Sequence, residues 1–431
     1  MKRIWKWTLL VLLAMLLLLA AGGWALQRWI GSEDFKGRVE QEAGTALGVA
    51  VTLARIEVAV WPLPAVALEG LQIQTRPALT LERLEVRPVW RGLMQGQLEL
   101  ATVLVRGAML PQAGVDALVL LLQKKKQPAL AEQRPEAEST LNTEYIPRRM
   151  VLDKVTWVSA KGAPITLDAD AQLNPQGLPD EVSIKILKGQ LQGATAELKR
   201  QGQGHDWTLA VKVGGGTVQG TLQLQPAPRA GAEFALKGQL QTRAVEVAAL
   251  ASAREPVLSG RLDADTTLSA RTARMGALVD ALQTQSKFTV RHAVVHGVDL
   301  AKAVRTVGLS RGGETPLDTL AGQVHTQGRS VQLTNLVASS GVLSARGNVT
   351  VSPSRALQGR VSVDLAEAAL GRAVGVPLAV GGTLDAPEVT LTRAALLGAA
   401  VGTVLMPGVG TGAGASIGDK VERSFKGLFG K

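Results

Sequence analysis

The sequence predicts a mainly β protein with few helices, built on an elongated antiparallel sheet that curls into an apolar groove. Apolar and polar residues alternate in short segments that recur roughly every ten residues, as in half-buried strands. The chain has 431 residues, whereas a compact sandwich rarely exceeds about 250. It has no cysteine and only 3% aromatic residues, so its apolar surface consists mainly of Leu, Val and Ala. An N-terminal transmembrane helix and a C-terminal helical hairpin are predicted to flank this sheet.

The N-terminal run from Trp7 to Leu26 is uncharged, mostly apolar and long enough to cross a bilayer as one helix. Basic residues favour the cytoplasmic side of a membrane, and Lys2, Arg3 and Lys6 precede this run. Residues 1–30 are therefore predicted to be a cytoplasmic N-terminus and a single-pass anchor, with the rest of the chain exported. The candidate anchor residues, with Trp at the membrane boundaries, are Trp7, Leu13, Leu17 and Trp24.

A cleaved signal peptide is the alternative for the same segment. Its densest part, Leu9–Leu19, has the length of a signal h-region, and small residues follow from Ala20 to Gly23. Both interpretations export the remainder of the chain.

Residues 31–122 are predicted to hold a helix and the first strands of the groove. Ser32 can cap a helix that carries Glu33 and Asp34 in its first turn, and Gly48 would end it. An apolar stripe at helical spacing must rest on the sheet that follows, and it consists of Phe35, Val39, Ala43, Ala46 and Leu47.

Residues 123–147 are predicted to be an exposed linker. Lys124–Lys126, several prolines and scattered acidic residues leave no apolar period there. Residues 148–392 resume the strand pattern and form the main groove region. Within the second half of the chain, only Arg271–Gln283 and Leu300–Val307 have a helical pattern.

The groove lining follows from strand geometry, because residues i and i+2 of a strand point to the same face. Apolar residues at this spacing, opposite polar neighbours, are the candidate lipid contacts. They are Leu209, Val211, Val213, Leu222, Leu224, Leu262, Leu268, Val361, Val363, Leu365, Val389 and Leu391.

Residues 393–431 form a Gly-rich amphipathic tail. An uncharged run from Ala394 to Gly418 is interrupted at Pro407, and an apolar stripe opposite basic residues follows it. We predict a helical hairpin that enters the membrane surface or covers the end of the groove. The alternative is a flexible tail, because glycine has a low helix propensity. The hairpin residues are Gly398, Gly402, Gly410, Gly414, Gly418, Phe425 and Phe429.

Three stretches carry a resemblance to a known family. They are Met1 to about Leu110, with its anchor and helix; Leu258–Val307, in which Gly297–Lys302 is the most specific part; and Val376–Pro387 with the Gly-rich end. In these stretches the sequence resembles the AsmA-like family of Gram-negative bacteria, which includes AsmA/TamB-type periplasmic lipid-transfer proteins. It departs from the family pattern at Arg291–Ala293, where a small turn with Gly or Asp is expected.

The resemblance implies a single-pass inner-membrane protein with a periplasmic β-groove, linked to phospholipid transport and outer-membrane integrity. A groove of Leu, Val and Ala suits acyl chains, whose burial contributes about 0.8 kcal/mol per CH₂. No cofactor is expected. The alternative function is a periplasmic assembly factor that shields outer-membrane proteins by β-augmentation. The expected partners are therefore phospholipid and the inner membrane, with outer-membrane or periplasmic proteins as further candidates.

Enzyme, metal and nucleic-acid functions receive no support from the sequence. It contains no nucleophile elbow, phosphate loop or metal-ligand cluster. The net charge of +11 is mild for this length, and no basic cluster is interleaved with aromatic residues. His292 and His296 lie in a strand pattern, well separated and with no acidic or Cys partner expected nearby, and are predicted to be structural. Asp263 and Asp265 are predicted to lie on a solvated strand face.

Overall fold

The computed structural model describes residues 32–59, 65–89, 92, 99–126, 146–160, 162–226, 233–250, 256–273, 277–305, 312–365, 375–392 and 395. The predicted anchor and nearly all of the predicted hairpin lie outside these residues. Among the helices that the structure describes, none is long and apolar enough to cross a membrane. The chain divides into two compact units, Met1–Lys199 and Arg200–Lys431.

The first unit combines two helices with a β-sheet. The helices are α1 (Glu33–Leu47) and α2 (Gln112–Lys126). The strands are β1 (Val51–Thr52), β2 (Arg55–Ala59), β3 (Ala65–Ile73), β4 (Leu79–Pro88), β5 (Leu100–Arg106), β6 (Met109–Pro111), β7 (Arg149–Val158), β8 (Pro164–Leu173), β9 (Pro179–Lys188) and β10 (Thr195–Arg200).

Helix α1 confirms the sequence prediction at both ends. The Ser32 side chain accepts a hydrogen bond from the Phe35 amide, and Gly48 ends the helix in a left-handed conformation with φ 74°. The predicted apolar stripe packs on the sheet, because Phe35 and Leu47 contact a core cluster formed by strands β1 to β3 and their connections. Glu40 fixes the position of the helix further, since its Oε1 accepts a hydrogen bond of 2.6 Å from the Leu53 amide.

The strand pairing of the first unit departs from the antiparallel expectation at one place. Strands β5 and β6 both pair with β7 in parallel, whereas the other described pairs of this unit are antiparallel. A parallel pair needs a crossover of a dozen or more residues. The chain between β6 and β7 provides that length, and α2 forms its first part.

Helix α2 was not predicted, and it occupies the start of the expected linker as far as Lys126. Its apolar residues are nearly continuous, so they show neither a strand alternation nor a clear helical stripe. The remainder of the predicted linker up to residue 145 lies outside the described residues.

The second unit is a meander in which each described strand pairs antiparallel with the next. The strands are β11 (Asp206–Val213), β12 (Gly216–Gln225), β13 (Phe234–Glu246), β14 (Leu258–Thr272), β15 (Gln283–His296), β16 (Glu314–Gln327), β17 (Ser330–Ser339), β18 (Leu343–Val351), β19 (Leu357–Leu365), β20 (Val376–Thr383) and β21 (Ala386–Leu391). The short helices are α3 (Val247–Leu250), α4 (Leu278–Ala281) and α5 (Leu300–Arg305).

Two local expectations for this unit are refined by the structure. Within the described part of Arg271–Gln283, the helical pattern becomes α-helix in α4 alone, because β14 continues to Thr272 and β15 begins at Gln283. At Arg291–Ala293, where the sequence departs from the turn of the family pattern, strand β15 runs through these residues. His292 has a φ of 49° there, next to a shift in the pairing of β14 and β15, so a β-bulge takes the place of the turn. The second predicted helix, by contrast, is confirmed as α5.

Three further β-bulges, one in the first unit and two in the second, share one hydrogen-bonding arrangement. The register shifts by one residue at Lys154, Ala244 and Asn335, each with a positive φ. A bulge leaves a backbone amide without its ladder partner. In all three bulges a side-chain oxygen of the following strand accepts that hydrogen bond, at 2.8 Å from Asp168, 2.9 Å from Asp263 and 2.8 Å from Asn348.

The core of the second unit lies where α5 packs on the strands from β16 to β21. Val363 and Leu378 are fully buried in it, and Ala303 of α5 is 1% exposed. Thr315 fixes the start of the helix, because its hydroxyl donates to the Val298 carbonyl and accepts from the Leu300 amide. The Asp299 carboxylate caps α5 by accepting from the Lys302 amide. The family-like stretch Gly297–Lys302 therefore forms the segment that brings α5 onto the sheet.

Candidate functional site

Each unit has one apolar and one polar sheet face, which follow from the alternation of side chains along the strands. The apolar face of the first unit carries Val66 and Met150, and the apolar face of the second unit carries Leu222 and Leu224. The polar faces lie opposite.

Two unbroken apolar rows cross the strands of the first unit. In each row, directly paired residues carry apolar side chains on β2, β3, β4, β5, β7, β8, β9 and β10. One row consists of Val58, Val66, Val86, Val103, Met150, Ala171, Val182 and Leu198. The other consists of Ile56, Leu68, Leu84, Val105, Leu152, Ala169, Ile184 and Ala196.

The first of these two rows is partly open to solvent, since Val66 is 39% and Met150 is 37% exposed. Sequence reasoning recognised several of these strands but did not select any of their residues as lining. The pairing of β5 with β7 joins the two halves of each row, and a parallel pair between segments this far apart leaves no local pattern in the sequence.

The predicted lining residues of the second unit fall into two groups. Toward β11, β12 and β14 the side chains are half-buried, as expected for a sheet face with apolar neighbours but an open side. This open group consists of Leu209, Val211, Leu222, Leu224 and Leu268, with Val213 more deeply buried at its end.

The remaining predicted lining residues belong to the core of the second unit or pack against it. Val363 is completely buried, and Val389 and Leu391 are 7% and 5% exposed. Val361, Leu365 and Leu262 are half-buried and pack against the same cluster. A ligand could reach Val363, Val389 and Leu391 only if the groups that cover them moved away, among them α5, which contacts β19 and β21. No local pattern in the sequence indicates which part of the face is covered.

Hydroxyl groups interrupt the apolar face of the second unit, and four of them form two cross-strand pairs. Thr266 Oγ1 lies 2.8 Å from Ser286 Oγ, and Thr284 Oγ1 lies 2.6 Å from Thr326 Oγ1. A hydroxyl that already has a hydrogen-bond partner costs less free energy to remove from water. These cross-strand pairs therefore let the face remain compatible with an apolar ligand.

The polar face of the first unit carries an ion-pair network centred on Arg83. Its guanidinium contacts Glu57 at 3.3 Å, Glu69 at 2.8 Å and Glu85 at 3.2 Å. Arg87 adds a 2.6 Å contact to Glu85. Burial raises the pKa of the Glu85 carboxyl, but the hydrogen bonds and charges of Arg87 and Arg83 outweigh burial, so its net pKa is lowered.

A cavity of about 740 Å³ lies at the central strands of the second unit, and residues of both sheet faces line it. Leu222 and Leu268 of the apolar face are among them, beside a cross-strand row of uncharged or weakly basic polar residues. This row consists of Thr221, Gln239, Thr267, Gln285, His325 and Gln332. The polar row offers hydrogen bonds, whereas Leu222 and Leu268 offer apolar contact.

Ser259, His296 and Glu314 form a hydrogen-bonded chain at the ends of three strands. Ser259 Oγ lies 2.9 Å from His296 Nε2, and His296 Nδ1 lies 2.9 Å from Glu314 Oε1. The expectation that His296 has no acidic neighbour is therefore wrong, because pairing of β15 with β16 brings Glu314 beside it.

The order of these three groups is that of a serine-hydrolase triad, which also needs an oxyanion donor beside the serine. The amide after the serine, that of Gly260, is occupied by Glu246 Oε1 at 2.8 Å. The Glu314 side chain is 64% exposed and thus lies largely in water. We interpret the three residues as a tie between strand ends.

The other predicted sites are located as follows. Asp263 accepts a hydrogen bond from the Ala244 amide in the bulge and forms an ion pair with Arg291, so it has a structural role. Asp265 is exposed, as predicted. No group of three His, Asp or Glu side chains within the described ranges could hold a metal ion. The anchor residues Trp7, Leu13, Leu17 and Trp24, and the hairpin residues from Gly398 to Phe429, lie outside the described residues.

Fold and site together define a class of protein. It consists of mainly antiparallel β-sheet units, each with one apolar and partly open face. The model of the AsmA family matches residues 1–156. This match supports an AsmA-like assignment for the N-terminal part of the chain. The match ends within β7 and covers less than half of the chain. No curated protein and no solved structure matches it.

Proposed function

We propose that this protein binds and transfers phospholipid from a position in the inner membrane, and that it supports phospholipid transport and outer-membrane integrity. The observation that carries the proposal is the pair of unbroken apolar rows across the first unit, together with the open apolar group of the second. The AsmA-family match is consistent with a lipid-related or outer-membrane-related role.

Acyl chains are the ligand that such a face favours on energetic grounds. Each CH₂ group removed from water contributes about 0.8 kcal/mol, so even partial burial of one chain amounts to several kcal/mol. Leu, Val and Ala side chains provide this contact without fixing the ligand at one point. The proposed function therefore needs neither a cofactor nor a chemical step.

The proposed location follows from the sequence rather than from the described residues. The run from Trp7 to Leu26 is the proposed single-pass anchor, and Lys2, Arg3 and Lys6 favour a cytoplasmic N-terminus. The bulk of the chain would then lie in the periplasm, where the partners would be phospholipid, the inner membrane and outer-membrane or periplasmic proteins.

The first test is the cargo of the purified full chain. We expect that protein extracted from native membranes in mild detergent retains phospholipid in stoichiometric amounts, measured by mass spectrometry after removal of free lipid. An unrelated single-pass membrane protein, purified in parallel, controls for annular lipid. Lipid no higher than in this control would contradict the proposal.

The second test maps the ligand onto one face. Photo-crosslinking residues at Leu222 and Leu224 should label phospholipid more strongly than those at Gln223 and Gln225, because neighbouring residues of β12 point to opposite faces. Position 363 should label weakly, because Val363 is completely buried. Equal labelling at all four β12 positions would show that lipid does not bind to the apolar face.

β-Augmentation of outer-membrane proteins is the second candidate, and one observation favours it. Among the strands that the structure describes, β21 pairs with β20 alone, so that its other edge has backbone groups available for an added strand. A preparation that carries outer-membrane protein chains in place of lipid would support this candidate.

A further inference from the structure

Helix α2 exposes large apolar side chains near its C-terminal end. Val119, Leu120 and Leu121 are 45%, 58% and 37% exposed. Successive residues of an α-helix are about 100° apart, so these three positions cover roughly 200° of the helix surface. A helix on the surface of a water-soluble domain normally hides its apolar side chains along one stripe. This part of α2 instead presents them over more than half of its circumference.

The beginning of α2, by contrast, is firmly attached to the first unit. Gly114 is buried, and a Cβ atom at this position would lie 2.3 Å from the Pro77 carbonyl oxygen. The Gln112 Oε1 atom accepts a 3.0 Å hydrogen bond from the Ala160 amide. The helix is therefore held at one end, and its apolar end is left at the protein surface.

Charge identifies the kind of surface that α2 fits. The helix ends in Lys124-Lys125-Lys126, and Gln123 alone separates these lysines from the apolar residues. A short apolar helix segment beside a basic cluster is typical of segments that lie in the surface of an anionic bilayer. A protein partner with an apolar groove would leave this cluster without an evident role.

The position of α2 in the unit agrees with such a surface. Helix α2 contacts α1, and α1 begins at Glu33, only a few residues after the apolar run that ends at Leu26. A membrane-crossing run at that place would hold α1, and with it α2, close to the bilayer.

We propose that α2 is a second membrane contact of the first unit. Its exposed residues Val119, Leu120 and Leu121 enter the acyl boundary of an anionic phospholipid surface, and the lysines of the last turn supply the attraction to the headgroups. This contact is separate from lipid binding on the apolar sheet face, and it holds that face near the bilayer.

The test uses the full chain, which has no native cysteine and therefore accepts a single label. Leu120→Cys is labelled with an environment-sensitive fluorophore and reconstituted in vesicles of phosphatidylcholine and phosphatidylglycerol in equal parts. We expect nitroxide groups on the acyl chains to quench the probe, and aqueous iodide to quench it poorly. Ser183→Cys, which is exposed on the polar face of β9, is the matched control and should give the opposite pattern.

A second variant separates charge from simple proximity to the anchor. Replacing Lys124, Lys125 and Lys126 by Gln should weaken the membrane-bound state by about fivefold per lysine, seen as a loss of nitroxide quenching at position 120. The labelled protein that keeps its lysines should show the same loss of nitroxide quenching in vesicles of phosphatidylcholine alone, because these vesicles carry no net negative charge. Val119→Cys replaces Leu120→Cys if circular dichroism shows that the first label disturbs the sheet.

Two results would overturn the proposal. Iodide quenching at position 120 equal to that at position 183 would show that α2 remains in water. Protection from both iodide and lipid nitroxide would show that protein, either another segment of the chain or a partner, covers the helix. Both results leave the lipid content of the purified protein unaffected, so they are distinct from a failure of the proposed lipid-binding function.

Discussion

Glu85 is the residue that best illustrates how the first unit accommodates charge. It is only 8% exposed, and its carboxylate lies between Arg83 and Arg87. Burial of a charged group is costly unless it is paired and hydrogen-bonded. Both conditions are met here, so that removing the charge leaves two guanidinium groups without their shared partner.

Glu85→Gln should lower the free energy of unfolding by about 1–3 kcal/mol at neutral pH, because the arginines keep their charge while the carboxylate is lost. Chemical denaturation followed by tryptophan fluorescence measures this change. Glu42→Gln, on an exposed position of α1, is the control and should have little effect.

The pH dependence of this contribution follows from the sign of the pKa shift. The folded protein holds the pKa of Glu85 below its ordinary value. The carboxylate therefore stabilises the fold fully at pH values above the ordinary glutamate pKa of about 4.3. As the pH falls through the lower folded pKa, this stabilisation is lost. The difference in stability between wild type and Glu85→Gln should therefore shrink in acid, and a constant difference would contradict this assignment.

At the scale of elements, the bulges are the recurring device of both sheets. Lys154, Ala244 and Asn335 each adopt a positive φ, and an acceptor from the next strand binds the amide that the bulge releases. Bulges increase the local twist and bend the strand. The acceptor side chains thus stabilise the places where the sheets depart from a regular ladder.

Asn348→Ala should destabilise the second unit by about 1 kcal/mol, because the Asn335 amide loses its hydrogen bond. Amide hydrogen exchange gives the sharper measurement, since exchange at Asn335 should accelerate more than at the paired residues of β17. Thr350→Ala, exposed on the same face of β18, should leave that amide unchanged. Equal protection in both variants would mean that water replaces the side chain without cost.

The elements that could be predicted from sequence are those with local signals. Helix α1 was predictable from Ser32, its apolar stripe and Gly48, and the strands from their alternation. The parallel pairing at β7, the start of α2 and the cover of α5 depend on contacts between distant segments. The bulges at Lys154 and Ala244 were missed because these residue types do not indicate a positive φ, unlike glycine. The candidate site was therefore predicted as a face, but not as an open and a covered part.

At the scale of the whole chain, apolar faces that are covered only in part make stability depend on the surroundings. A ligand that binds only the folded state stabilises it by about 2.7 kcal/mol when present at a hundred times its Kd. The chain has no disulfide to compensate for its loss, because it has no cysteine.

Removal of bound phospholipid should therefore lower the melting temperature, and its return should restore it. Calorimetry of the full chain in a nanodisc of minimal lipid content, with and without added short-chain phospholipid, measures the difference. Glycerophosphocholine, which has the headgroup but no acyl chains, is the control and should not raise the melting temperature. An equal rise with this compound would place the binding at polar rather than apolar contacts.

The bulges also have a consequence for how the gene can change. Strand β12 pairs with both neighbours without a register shift, so the in-frame loss of one codon there would turn the residues beyond it to the opposite face. At Ala244 the strand β13 already carries one residue more than its neighbour β14. Loss of that codon would leave a regular ladder with Thr242 and Val245 on the face that they now share. Single-codon insertions and deletions in this lineage should accumulate at bulges, and elsewhere in the strands they should occur in pairs.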